Sequence, residues 1–88
     1  MSNVQAVLQH FARRDAIHAE IAQIEEQIRA FDDTDLRGAA YRAAIDPLTE
    51  QIEALQNESL DLITSASAIE RALTTEERAE IRAALAAR

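Results

Sequence analysis

The chain has 88 residues, a net charge of −7, no cysteine, one glycine and one proline. The missing cysteines exclude a disulfide framework and a thiolate metal site, and the length allows one small domain. The acidic balance opposes general binding to nucleic acid, because a backbone binder needs a basic stripe to release counterions.

The first segment begins without the basic start and continuous apolar run of a signal peptide. No stretch approaches the roughly 20 apolar residues of a membrane span. A soluble, cytoplasmic protein is expected, with no membrane contact. Ser2 and Asn3 are polar N-cap candidates, and a first helix is predicted over about 3–31. Within it Val4, Leu8 and Phe11 form an i, i+4, i+7 stripe, followed by Ile17, Ile21, Ile24, Ile28 and Phe31 at the alternating four-and-three spacing of a heptad. The two stripes are out of phase. Continued backwards from Ile17, the heptad places Arg14, His10 and Val7 at core positions, so the apolar side of the first two turns is expected to face away from the seam.

Phe31-Asp32-Asp33-Thr34-Asp35 carries the signals of a turn at 32–35, with Thr34 or Asp35 able to cap a helix on its far side. That second helix is predicted over about 35–66, kinked near Pro47. Its stripe is Tyr41, Ile45, Leu48, Ile52, Leu55 and Leu62. Folded back on the first helix, 28 meets 41, 24 meets 45, 21 meets 48 and 17 meets 52, and each pair of numbers adds to 69. Extended to the tip, the rule sets the ring of Phe31 over Gly38, Arg14 toward Leu55 and His10 toward Ser59. The hydroxyl-rich stretch 64–68 is expected to loosen the helix, and Ala66, Ile69 and Leu73 outrun the first helix. Thr74 with Glu77 forms a capping box ahead of Ile81, Ala84 and Leu85, which predicts a third helix over about 74–87.

The fold class is therefore all-α: an antiparallel, coiled-coil-like helical hairpin with a short C-terminal third helix. A hairpin of this length buries too little apolar surface to stand alone comfortably, so a homo-oligomer is expected. Val4, Leu8, Phe11, Leu60, Ile63, Ile69 and Leu73 are the apolar residues a hairpin does not hide, and they mark the expected oligomer or partner interface.

Nothing in the chain reads as a catalytic motif. It has no glycine-rich phosphate loop and no nucleophile in a recognisable setting, so a non-catalytic protein without cofactor is expected. Asp15 and His18 stand at i, i+3, but a carboxylate-bundle metal site needs that pair twice, and no metal site is predicted. Glu25 with Arg29, Asp33 with Arg37 and Arg42 with Asp46 have the four-residue spacing of surface ion pairs. His10, Phe11, Arg13 and Arg14 share one turn and combine a stackable ring with two forked donors, a set suited to an anionic, base-containing small molecule. Tyr41 with Arg42 is a second aromatic and basic pair.

The leading functional expectation is a helical interaction protein that sequesters or inhibits a protein partner. The alternative is an anti-defence sponge that holds a cyclic (oligo)nucleotide signal in interprotomer pockets. In architecture alone it resembles the small helical phage proteins that take up cyclic oligonucleotide messengers of bacterial immunity. All nine basic residues are arginine, beside abundant alanine. That is the usage of a GC-rich coding genome and fits a GC-rich bacterium or its phage.

Overall fold

The computed structural model describes residues 2–87. Three helices follow in order: α1 (Asn3–Asp32), α2 (Gly38–Glu70) and α3 (Thr75–Ala86), with no strand among the described residues. α1 and α2 pack as an antiparallel hairpin, and α3 folds back within the same chain onto α1. The result measures 57 × 24 × 16 Å with a radius of gyration of 18.0 Å, against about 12 Å for a compact domain of this length.

Local chemistry sets the helix ends. Ser2 caps α1 through a capping box, its hydroxyl accepting from the Gln5 amide while the Gln5 side chain accepts from the Ser2 amide. Thr74 and Glu77 make the expected box at α3, with bonds of 3.1 and 3.0 Å. The start of α2 differs from the sequence expectation. Its N-cap is Arg37, which makes no side-chain cap bond. Thr34 instead serves the turn, donating to the Phe31 carbonyl and accepting from the Leu36 amide. The chain then enters α2 through Gly38 at φ +61°, a left-handed conformation that costs a residue with a Cβ about 1–2 kcal/mol.

α2 runs unbroken through Pro47 and on to Glu70, past the expected end at 66. The hydroxyl-rich stretch does not loosen it: Thr64 donates back to the Leu60 carbonyl at 3.1 Å within the same helix. Where α2 ends, the Glu70 carbonyl accepts from the Leu73 amide at 3.2 Å and from Arg78 of α3 at 2.9 Å.

The two heptad stripes do face each other, but not at the register of the mirror rule. Ile24 shares a groove with Gln51, Ala54 and Leu55, and Ile21 shares one with Gln56, Ser59 and Leu60. These neighbours lie six to twelve residues, about two to three turns, further along α2 than the Ile45 and Leu48 that the rule assigns. One expectation changes with the slide. Phe31 does not cover Gly38: a Cβ placed on Gly38 would meet nothing within 4 Å, so the glycine is there for its backbone angle. Ala66 is buried and Ile69 and Leu73 are half-buried, and Leu73 borders Ile81 of α3, so a partner other than α1 stands beside it.

The core is thin. Val7 and Ile17 are fully enclosed, Ile24, Ala66 and Ile81 nearly so, and Ser59 is the buried polar residue among them. Val7 belongs to the heptad continued back from Ile17, so that stripe stays in the interior to the start of α1. Val4, Leu8 and Phe11 are half-buried at the end of α1 where α3 returns.

Gly38→Ala should lower stability by about 1–2 kcal/mol through backbone strain alone. A drop of roughly 4–8 °C in thermal midpoint per kcal/mol is expected for a domain of this size. Melting followed by circular dichroism reads it; an unchanged midpoint would mean that the turn does not need the left-handed residue.

Candidate functional site

The two neighbouring arginines of α1 part company. Arg13 turns to one side of the hairpin seam, where its Nε and Nη2 donate to the two carboxylate oxygens of Glu58 at 2.5 and 3.1 Å, and its Nη1 donates to Glu20 at 3.3 Å. This two-pronged fork fits a carboxylate well and fixes orientation. All three residues remain about two-fifths exposed, so the bridge sets geometry more than it stabilises. The hydrogen bond to Arg13 holds the Glu58 carboxyl below its usual range, partly offset by desolvation. The same bond raises the Arg13 guanidinium. Sequence reasoning misses Glu20, although Arg13 and Glu20, seven apart, share a helix face.

Arg14 lies half-buried on the other side. Its guanidinium carbon stands 5.9 Å from the centroid of the Phe11 ring, a cation–π contact. Its Nε is buried without a hydrogen-bond partner, a costly state for a charged donor. His10 is half-buried, with Nδ1 2.6 Å from the Ala6 carbonyl one turn back; as donor there, it leaves Nε2 as the free ring nitrogen. Of the four residues that share this turn, Phe11 and Arg14 are joined, His10 is tied to its own helix, and Arg13 is engaged by carboxylates.

At the tip, Tyr41 and Arg42 are not joined into a pair. Tyr41 is half-buried and donates its hydroxyl to Asp32 at 2.6 Å, while Arg42 is exposed. Asp32, Leu36, Arg37 and Gly38 line the hollow beside the ring. Arg37 folds onto the turn, donating to the carbonyls of Thr34 and Leu36 at 2.8 and 2.7 Å. Arg29 pairs with Glu26, three residues back. The hydrogen bond to Asp32 is the main reason that the Tyr41 hydroxyl is held above its ordinary value, and desolvation adds to it.

The seven residues expected at an interface divide in two. Val4, Leu8, Phe11, Ile69 and Leu73 are half-buried within the chain. Leu60 and Ile63 stay open, 60% and 39% exposed. Leu60 borders a groove of about 390 Å³ that it lines with His18, Ile21, Gln56 and Ser59. Among the described residues no three His, Asp or Glu side chains gather as metal ligands would, and no helix is long and apolar enough to cross a membrane. Comparison with protein families, with curated proteins and with solved structures finds no match to this chain.

Tyr41 is the only tyrosine and the chain has no tryptophan, so its ionisation can be followed without overlap by ultraviolet absorbance. Asp32→Asn should bring its midpoint down toward the ordinary value of about 10. Identical titrations of the two proteins would show that the tip bond does not form in solution.

Proposed function

We propose that this chain is a non-catalytic, self-associating helical binding protein that sequesters or inhibits a protein partner by covering its surface. The observation that carries this reading is the exposure of Leu60 and Ile63, one turn apart on α2, with Leu60 lining the groove between α2 and α1. Large apolar side chains at that spacing next to a groove are the elements of helix-on-helix docking. The thin core adds to the argument, since a chain with so few enclosed side chains gains from any contact that covers more apolar surface.

The test compares the immobilised full chain with its Leu60→Glu variant in extract from a GC-rich bacterial host. A defined protein held by the wild type and at least about tenfold weaker on the variant is expected, because a central apolar anchor carries much of the binding energy. Equal retention on both would overturn docking through this face.

One observation favours a second reading, in which the chain is a phage anti-defence sponge for a cyclic (oligo)nucleotide. Arg14 is stacked on Phe11 and has an Nε without a partner, which suits an anion carried on a flat base. Arg13 would have to leave Glu58 and Glu20 to contribute. Cyclic mono- and dinucleotides should raise the thermal midpoint of the wild type and leave Arg14→Ala unmoved; no shift across such a panel rejects the reading.

A further inference from the structure

The occupant of the open face can be named. We propose that it is a second copy of this chain, packed about a two-fold axis so that Leu60 and Ile63 of one copy meet Ile63 and Leu60 of the other. The inference rests on the reading of this face as a helix-docking surface and assigns its resting partner.

Four observations converge on it. The chain exposes 6098 Å², whereas a compact monomer of 9.7 kDa exposes about 5,100 Å². The surplus of about 1,000 Å² is close to the roughly 800 Å² that each partner buries in a standard stable interface. Secondly, Gln56, Leu60, Ile63 and Ser67 recur at four, three and four residues, a second heptad stripe on α2 beside the one that faces α1. It is free of charge and is flanked in the same register by Glu53 and Glu70. In an antiparallel pairing centred between Leu60 and Ile63, Gln56 of each copy comes opposite Ser67 of the other, a polar pair able to hydrogen-bond.

The third observation is the place of α3. It packs on α1 at the end where Phe11 is half-buried. Phe11 and His18 are seven residues apart and so share one face of α1. α3 is too short to cover the whole of α1, and the groove of His18, Ile21, Gln56, Ser59 and Leu60 is open. A helix of another chain would continue the layer that α3 begins. Finally, the need is constitutive. The core is thin in every copy at all times, so the cover must be present wherever the chain is, and the chain itself meets that condition. A two-fold contact needs only one self-complementary patch and is the commonest oligomer symmetry.

Sedimentation velocity on the full chain, from about 1 to 100 μM, spans the micromolar range in which such small interfaces dissociate. A species of twice the 9.7 kDa protomer mass is expected to dominate at the upper end. Leu60→Glu and Ile63→Glu should each raise the dissociation constant at least about tenfold. Ala54→Glu, in the groove on the other side of the seam, should leave it within about threefold, as a surface change away from the contact. Far-ultraviolet circular dichroism checks that the variants stay helical. If either glutamate variant unfolds, the wild type decides alone: a thermal midpoint that rises with protein concentration supports the dimer, and one that does not overturns it. A wild type that is monomeric at the highest concentration also overturns the proposal, as does a dimer that survives both glutamates. A monomer whose protein partner is still lost on Leu60→Glu would refute the second copy and leave the docking function standing. A dimer broken by the glutamates beside partner retention that ignores them would do the reverse.

Discussion

α1 is the helix on which the rest of the fold depends. Both other helices pack against it, whereas α2 and α3 meet at their junction, where Arg78 reaches the Glu70 carbonyl. The two fully enclosed side chains, Val7 and Ile17, are both on α1, one near each end of its N-terminal half. α3 is 12 residues long and packs on α1, whose 30 residues it cannot cover, so part of the hairpin has no third helix.

How α1 lies on α2 illustrates what a heptad pattern determines. An a/d stripe says which side of a helix is buried, and both stripes are buried here. It does not fix the slide along the axis, because the pattern meets itself again after three or four residues and after seven. Pairs adding to 69 look compelling because every member is apolar, yet any such slide keeps the stripes facing. The turn breaks the tie. Gly38 supplies the left-handed residue and Tyr41 bonds back to Asp32. These constraints lie in backbone angles and a side-chain contact across the tip, neither of which is written in hydrophobic periodicity. The ends of α1 and α3 are legible for the opposite reason, since a capping box is a local contact between residues three apart.

The same slide explains why the basic cluster divides. Arg13 and Arg14 are adjacent in sequence and point about 100° apart around the helix. One therefore falls on the side of the seam where Glu58 and Glu20 stand, and the other falls where Phe11 and the apolar side of the groove stand. In the sequence both look like donors for a ligand because they share one turn. Only the register reveals that a carboxylate already holds the first. Whether an arginine near a seam is spoken for depends on which residue of the facing helix lies within the reach of its side chain, and a slide of a single turn changes that residue.

Charge is thus sorted by side. On one side of the seam Arg13, Glu20 and Glu58 largely satisfy one another at the surface of a chain that carries −7. On the other side the α2 stripe between Glu53 and Glu70 has no charge at all. In the self-pairing centred between Leu60 and Ile63, Glu53 of one copy comes opposite Glu70 of the other, so like charges at the two ends work against that contact and its strength rests on the apolar centre. The acids therefore do more than solubilise the hairpin: they weaken any pairing that sets acid against acid and favour one whose ends carry neutral or basic side chains.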